Sequence, residues 1–363
     1  MLFFFMRSLR YLLLPFILFY GVKVAAQVEQ DGPYIVRSGK NIIAHYVLND
    51  ISKTDTLNEK NPVQVRFAKH KEWDFSFKLR AKNVIQPSSY KAVEKMLVLS
   101  DIEGEFEAFR ALMIANKVID EKYNWIFGKG HLVICGDLFD RGKDVVPYLW
   151  LLYKLEEDAI KKGGFVHVLL GNHDVMNMAG DLRYLAPKYP ASAKLIGITY
   201  EKLIAEDTEI GKWLRSKNAI EKIGDKLFLH AGISPEINAT NLSLQEINDK
   251  CRSYYGISTK KLDAEGEKWM SSGGPFWYRG YFGDDRTPIT TVDSTLAKFD
   301  VRQIVVGHTI TEENIAAYYG DKVIGVDVNQ HKGNRKAIIF NSEKAFVVDD
   351  KGNRTPLANS DKK

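Results

Sequence analysis

Carboxylate, amide and imidazole side chains follow short apolar runs in the central part of this 363-residue chain. The stretch from His131 to Gly142, HLVICGDLFDRG, has an apolar run that breaks at Gly136 into Asp137, Asp140 and Arg141. Charges at the mouth of a buried strand are costly unless they are paired or bind an ion. The stretch therefore indicates chemistry, and a metal ion or an anionic ligand is the simplest partner for these side chains.

The same arrangement recurs at four other apolar runs, each with the length and composition of a buried strand. These runs are KMLVLS before Asp101, FVHVLL before the GNHD motif with Asn172, His173 and Asp174, Leu227 to Leu229 before His230, and Val301 to Val306 before Gly307 and His308. Strand and helix signals alternate from Lys95 onward, which predicts an α/β fold. In open α/β sheets ligands bind at the carboxyl edge of the strands, so we expect these polar residues to meet there.

Five motifs carry a resemblance to a known family. They are SDIEG at 100–104, GDLFDRG at 136–142, GNHD at 171–174, HAG at 230–232 and GHT at 307–309. Together they resemble the calcineurin-like metallophosphoesterases, and especially the phosphoprotein phosphatase branch with its bacterial Shewanella-like members. The resemblance covers roughly residues 95 to 330 and implies a two-sheet αββα sandwich that holds a dinuclear metal site.

The resemblance also assigns the metal ligands, with Asp137 as the bridge between two ions. The full set of predicted ligands is Asp101, Glu103, Asp137, Asn172, His230 and His308, in which Glu103 stands where the family has a histidine. Two ions neutralise the phosphoryl oxygens and lower the pKa of a bound water towards ~7. A carboxylate-rich site favours hard ions, so manganese is the favoured metal, with iron, magnesium or zinc as alternatives.

Glu103 departs from the family pattern, because the first motif of the family normally reads D-x-H and this chain has Asp101-Ile102-Glu103. Either the Glu103 carboxylate replaces the imidazole as a ligand, or the first ion is bound weakly or not at all. The presence of every other ligand type favours replacement.

His173 is the candidate general acid. A histidine that follows a strand is more often structural than catalytic, but this one lies directly beside Asn172. In the resembling family the equivalent histidine protonates the leaving group and is oriented by the aspartate of the DRG motif, here Asp140. Such a carboxylate partner raises the imidazole pKa, which suits a general acid near neutral pH.

Two arginines are candidate phosphate ligands. Arg141 and Arg279 are predicted to bind phosphate through bidentate hydrogen bonds, a geometry that lysine cannot match. Arg279 lies in GGPFWYRGYF, for which the alternative is a surface loop with an aromatic plug. Asp174 stands where the phosphoprotein phosphatases usually have glutamate, and we expect it to support the ligands.

The N-terminal residues 1–26 are predicted to be a signal peptide. Arg7 and Arg10 precede the apolar stretch from Tyr11 to Val22, and small residues at 24–26 offer a cleavage site. The alternative is a membrane anchor, but 12 apolar residues are too few to span a bilayer. We therefore expect an exported protein, periplasmic or secreted, with no stable membrane span after cleavage.

Cleavage would lower the net charge from +5 to +2, because the first 26 residues hold three basic residues and no acidic ones. The remaining chain shows no stripe of Lys and Arg, so we expect no nucleic-acid partner. The expected partner is a phosphorylated substrate, and the sequence leaves the oligomeric state open.

The mature chain is predicted to have three parts. Residues 27–90 form a small β unit interrupted by a polar linker at 49–62, and residues 91–345 form the phosphoesterase domain. Within that domain, residues 176–223 form a helical insertion that we expect to roof the cleft. Residues 346–363 form a polar tail, and we expect its stretch from Asp349 to Lys363 to be disordered.

These features predict an exported metal-dependent enzyme that hydrolyses phosphate monoesters and most resembles the serine/threonine protein phosphatases. One alternative is a small-molecule or nucleotide phosphatase or pyrophosphohydrolase. Another is a phosphate-binding pseudo-enzyme that has lost catalysis through Glu103.

Overall fold

A computed structural model describes residues 27–39, 41–312 and 314–362. The predicted signal peptide lies outside the described residues, so export stays a prediction. In the described part of the chain, no helix combines the length and the apolar character that crossing a membrane requires.

The N-terminal part consists of two small antiparallel sheets. Strands β1 (Gln30–Ser38), β2 (Asn41–Leu48) and β3 (Ile51–Leu57) form one, and β4 (Val63–Val65) and β5 (Phe75–Phe77) form the other. Strand β3 lies inside the predicted linker at 49–62, so that prediction was wrong. Its side chains are mostly exposed, which removes the hydrophobic pattern that reveals a strand.

The central elements alternate between strands and helices. They are β6 (Ser89–Tyr90), β7 (Lys95–Leu99), α1 (Phe106–Ala115), β8 (His131–Cys135), α2 (Val145–Lys161), β9 (Phe165–Leu169), α3 (Asn172–Met178), α4 (Lys188–Ile196), α5 (Tyr200–Leu203) and α6 (Glu209–Arg215). Helices α4 to α6 lie within the predicted insertion at 176–223, between residues 188 and 215. Its last four residues differ from that prediction, because Ile220–Ile223 form a strand.

The remaining elements complete the second half of the fold. They are β10 (Ile220–Ile223), β11 (Lys226–Leu229), α7 (Pro235–Asn238), α8 (Leu244–Ser253), α9 (Ala264–Met270), α10 (Ile289–Phe299), β12 (Gln303–Val306), β13 (Ala316–Tyr318), β14 (Val323–Gly325), β15 (Lys336–Asn341), β16 (Lys344–Asp349), β17 (Arg354–Pro356) and β18 (Ala358–Asn359).

Two large sheets form the centre of the molecule. One has six strands in the order β17-β16-β15-β7-β8-β9, and the other has seven in the order β18-β13-β14-β12-β11-β10-β6. Each contains three parallel strands, β7, β8 and β9 in the first and β11, β12 and β14 in the second. This confirms the predicted two-sheet α/β fold.

Successive side chains of a strand point to opposite faces of its sheet, so one strand contributes to two apolar clusters. On β7, Met96 and Val98 belong to the apolar cluster shared by the two sheets. Leu97 and Leu99 belong to the larger cluster that includes the helices. A strand buried on both faces reads as a continuous apolar run, which explains the KMLVL sequence.

The prediction of disorder from Asp349 onward was wrong for the described residues 349–362. Strand β16 pairs with β15, β17 pairs with β16, and β18 pairs with β13 in the other sheet. Strands β17 and β18 are held by backbone hydrogen bonds to β16 and β13, and their short polar sequences give little hint of this pairing.

Candidate active site

The functional side chains follow strands that end at the same edge of the two sheets. The first sheet supplies Asp101 after β7, Asp137 after β8 and Asn172 after β9, and the second supplies His230 after β11, His308 after β12 and Asp327 after β14. Because the three supplying strands in each sheet are parallel, their carboxyl ends lie side by side. Each sheet therefore contributes half of the residues at this seam.

The turns that follow these strands hold several site residues in the left-handed backbone region. The φ angles are 55° at Asp101, 47° at Glu103, 53° at Asp137, 78° at Asp140, 48° at Arg141 and 65° at His308. This conformation costs an L-residue roughly 1–2 kcal/mol. Such strain concentrated at one place is typical of functional sites.

Two glycines allow the turns to approach one another. A Cβ atom on Gly171 would collide with the carboxylate and backbone nitrogen of Asp137, and one on Gly307 would collide with Ser100 and Asp101. The first two turns are also joined directly, since the Glu103 N–H donates to the Asp137 carbonyl at 3.0 Å. The sequence pattern of glycine beside each polar residue thus has a packing cause.

All ten predicted site residues come together. Eight line one cleft of about 390 Å³, namely Asp101, Glu103, Asp137, Arg141, Asn172, His173, Arg279 and His308. His230 is fully buried behind them, with Nε2 3.3 Å from Asp137 Oδ1. Asp140 is buried beside His173.

The donor atoms fit divalent metal ions. Asp137, His230 and His308 place one donor atom each within 4.8 Å of one another, and so do Glu103, Asp137 and His173. Asp137 belongs to both groups, as a bridging ligand must. Together with Asp101, its carboxylate and that of Glu103 are more than nine-tenths buried, an arrangement that needs nearby cations.

Hydrogen bonds orient the two candidate imidazole ligands. His230 Nδ1 lies 2.7 Å from the Cys135 carbonyl, which leaves Nε2 for the centre. His308 Nε2 lies 3.2 Å from the Trp277 carbonyl, which leaves Nδ1. Fixing one ring nitrogen in this way sets which nitrogen of a ligand histidine is available.

The electrostatics of the site are dominated by Asp137. Burial alone would raise the pKa of this carboxyl, but His230, His173 and His308 hold it below its usual range. Burial lowers the pKa of His230, and Asp137 outweighs that effect and raises it to about 10. Burial and the charge of Asp137 raise the pKa of Asp174 to about 7.

His173 and Asp140 form a buried pair. His173 Nδ1 lies 2.6 Å from Asp140 Oδ2, while Asn177 donates to Asp140 Oδ1 at 2.9 Å. Burial lowers the pKa of His173, but Asp140 and Asp137 outweigh it and the net shift is upward. The other nitrogen, Nε2, faces the cleft and lies 3.8 Å from Asp137 Oδ2.

Asp174 supports the centre from behind. Its carboxylate accepts hydrogen bonds from the backbone N–H groups of Leu138 at 2.8 Å, Phe139 at 3.2 Å and Gly171 at 2.7 Å. It therefore ties the turn after β8 to the turn after β9, which agrees with the supporting position expected from the sequence.

The two arginines flank the cleft on different loops. Arg141 forms an ion pair with Glu103 Oε1. Arg279 Nη1 donates to the His308 carbonyl at 2.9 Å and to Thr309 Oγ1 at 3.1 Å. In the aromatic loop at 273–282, Phe276 and Tyr281 are buried, as the alternative expected, but Arg279 lines the cleft.

Sequence reasoning missed two ionisable residues of the cleft lining, Asp327 and His331. Asp327 had a usable signal, because it follows an apolar run at 323–326 in the same manner as the other strand-end residues. His331 lies in a polar loop and offered none.

The fold and this site define a class of protein. Residues 94–312 match the family of calcineurin-like phosphoesterases. The chain belongs to that family, and it is a metal-dependent phosphoesterase.

Among solved structures, the chain is similar to the cold-active protein-tyrosine phosphatase of a psychrophile Shewanella species. The two are 36% identical with a TM-score of 0.84, over 91% of this chain and 100% of that one. Among curated proteins, it is 24% identical to Shewanella-like protein phosphatase 2 of Arabidopsis thaliana over 70% of this chain and 75% of that protein. It is 28% identical to Shewanella-like protein phosphatase 1 of Plasmodium berghei, over 59% of this chain and 61% of that protein.

Proposed function

We propose that this protein is a dinuclear phosphomonoesterase that acts on phosphoproteins and prefers phosphotyrosine. The observation that carries the proposal is the convergence of buried carboxylates on Asp137, with two arginines facing the same cleft. Buried carboxylates need compensating positive charge, which metal ions supply, and the arginines can bind an anionic substrate.

Two ions are proposed at this centre. Asp101, Glu103 and Asp137 would hold the first, and Asp137, Asn172, His230 and His308 the second. When bound, such ions supply Lewis acidity and lower the pKa of a water nucleophile. Manganese is the proposed metal, because the first group of ligands is rich in carboxylate oxygen.

His173 donates a proton to the leaving-group oxygen. Its Nδ1 is held by Asp140 at 2.6 Å, and this contact leaves Nε2 to face the substrate. The upward shift of its pKa keeps the imidazole protonated to a higher pH than a free histidine, as a general acid requires.

Arg141 and Arg279 bind the non-bridging phosphate oxygens. They approach from the loop after β8 and from the aromatic loop, so the phosphate is held between the two halves of the fold. Each guanidinium presents paired donors that match two phosphate oxygens.

The cleft beside the arginines favours an aryl phosphate. A space of about 560 Å³ adjoins His173 and both arginines, and its walls include Met176, Tyr184, Met270 and Trp277. Large apolar side chains beside a phosphate site can enclose a tyrosine ring, whereas serine offers no such surface. The similar Shewanella protein-tyrosine phosphatase supports this preference, whereas the sequence alone favoured the serine/threonine class.

The first prediction tests the centre and the substrate together. Asp137→Asn should lower metal content and turnover in parallel, because it removes the charge shared by both ions. Metal content is measured by plasma mass spectrometry on protein dialysed against Mn²⁺, and turnover on phosphotyrosine, phosphoserine and phosphothreonine peptides. Lys332→Ala, a charge change outside the predicted ligands, serves as the control.

Other outcomes separate the alternatives. Higher kcat/KM for nucleotides than for any phosphopeptide would make the protein a small-molecule phosphatase. Bound phosphate without turnover of any ester would make it a phosphate-binding protein. Normal metal content and turnover in Asp137→Asn would show that Asp137 is not the bridge.

A further inference from the structure

The loop from Asp327 to His331 lies on the Glu103 side of the cleft. It follows β14, which runs parallel to β12, the strand that delivers His308. Both Asp327 and His331 line the same cleft as Asp101, Glu103 and Asp137. Neither belongs to any of the five motifs.

Asp327 is a buried carboxylate without a partner. Only 6% of its surface is exposed, and within the described residues its side chain makes no hydrogen bond or ion pair. It shares the cavity with two other buried acids, Asp101 and Asp137. An unpaired carboxylate among acids is strongly unfavourable unless a cation or a proton compensates it.

His331 lies at ligand spacing from Glu103. Its Nδ1 is 3.4 Å from Glu103 Oε2. Two donors that bind one ion at about 2.1 Å, with an angle between octahedral and tetrahedral, lie roughly 3.0–3.4 Å apart. His230 Nε2 and Asp137 Oδ1 show the same spacing at 3.3 Å.

His173 provides a contrast within the same cleft. Its Nε2 lies 3.9 Å from Glu103 Oε1 and 3.8 Å from Asp137 Oδ2, beyond that range. Of the two imidazoles near Glu103, His331 is therefore the better placed to share an ion with this carboxylate.

We propose that Asp327 and His331 are ligands of the ion held by Asp101, Glu103 and Asp137, and that His331 supplies the imidazole absent from the first motif. This inference rests on the proposed metal centre and goes beyond it. It resolves the departure at Glu103, because the imidazole comes from the loop after β14. The donor set of this ion would then combine carboxylate oxygens with one nitrogen, which suits manganese or iron.

The test is metal binding by the full-length protein, measured by plasma mass spectrometry after dialysis and by titration calorimetry with Mn²⁺. Wild type should bind two ions per chain. His331→Ala and Asp327→Asn should each retain about one ion or bind the weaker ion at least tenfold less tightly. Lys332→Ala, which changes the residue directly after this loop and outside the cleft lining, should bind two ions at wild-type affinity.

A rescue experiment makes the test specific. Glu103→His restores an imidazole to the first motif, so the double variant Glu103→His with His331→Ala should regain the second ion. If His331→Ala lost its ion only because it misfolded, adding Glu103→His would not restore binding. Thermal unfolding of each variant identifies any that fail to fold, and His331→Gln then replaces His331→Ala.

Crystals of wild type soaked in Mn²⁺ test the same contact without any substitution. An anomalous peak at bonding distance from His331 Nδ1, about 2.0–2.4 Å, supports the proposal. Two peaks that both lie beyond bonding distance of Asp327 and His331 would overturn it, as would two ions at wild-type affinity in both single variants. His331 and Glu103 would then form only an ion pair. Failure of wild type to bind any ion would instead reject the proposed function.

Discussion

Among the individual residues, His173 combines a buried anchor with an accessible reactive atom. Asp140 holds Nδ1, Asn177 holds Asp140, and the His173 backbone N–H donates to Asp137 Oδ1 at 2.9 Å. The imidazole is therefore positioned against the metal centre while its Nε2 stays at 3.8 Å or more from the carboxylates. This geometry separates proton donation from metal binding.

His173→Ala should lower kcat by about 10²- to 10⁴-fold while metal content stays the same. The loss should be larger for a phosphoserine peptide than for p-nitrophenyl phosphate, because nitrophenolate leaves with little help from a proton. Steady-state kinetics on both substrates measure the difference. His70→Ala, a change at a half-exposed histidine outside the cleft, is the control. Equal losses on both substrates would contradict a general-acid role.

The sequence could predict the site residues that lie in the five motifs. Asp101, Asp137, Asn172 and His173 each stand beside a strand signal and a glycine, and the structure brings them together. His331 could not be found in this way, because its relation to Glu103 depends on how β14 pairs with β12. Contacts between residues more than two hundred positions apart leave no mark in a local pattern.

Among the elements, helix α2 contains a charged junction at Glu156. This carboxylate accepts from Arg80 Nη1 at 2.7 Å and from Trp213 Nε1 at 2.8 Å, and it forms an ion pair with Lys217. Burial alone would raise the pKa of Glu156, but Lys217 and Arg80 lower it below its ordinary range. The junction links the N-terminal part, α2 and α6.

Glu156→Ala should lower the free energy of unfolding by about 3–5 kcal/mol, because it leaves Lys217 buried and unpaired. Urea denaturation followed by circular dichroism measures the change. Glu157→Ala is the matched control on the same helix, since its pair with Lys161 is exposed and should contribute at most about 0.5 kcal/mol. Equal effects of the two substitutions would mean that Glu156 is not a junction.

The strands missed by sequence differ in the signal that they offered. Strand β3 is defined by its pairing with β2 after a turn in which Asn49 and Asp50 both have positive φ. Two such residues between paired strands form a hairpin turn, and this signal was available in the sequence. The turn between β16 and β17 offered a similar signal in Gly352, whose φ is 81°, whereas the pairing of β18 with β13 in the other sheet left no local signal.

In the whole molecule, the N-terminal sheets and the catalytic domain share one core. Tyr34, Val65 and Phe77 belong to the same apolar cluster as α2. Phe77 stacks on Trp150 with ring centroids 4.3 Å apart, and Trp150 Nε1 donates to the Pro33 carbonyl at 2.9 Å. No separate core divides residues 30–77 from the rest of the described chain.

Residues 27–362 should therefore unfold together in one cooperative transition. Urea curves from tryptophan fluorescence and from far-ultraviolet circular dichroism should coincide, and the calorimetric and van't Hoff enthalpies should agree. Trp150 lies at the contact between the two parts. The fluorescence change that is lost in Trp150→Phe is therefore the part of the signal that comes from this contact. Two separate transitions would instead show that the N-terminal part folds on its own.

At the left-handed turns that follow the strands, a change that increases stability should decrease activity. Asp101, Asp137 and His308 would each lose backbone strain if they were replaced by glycine, and each would lose a donor atom from the centre. Selection for a more stable chain and selection for a working centre thus act in opposite directions at these positions. Random mutagenesis screened only for thermal resistance is expected to collect inactive proteins whose changes lie in these turns.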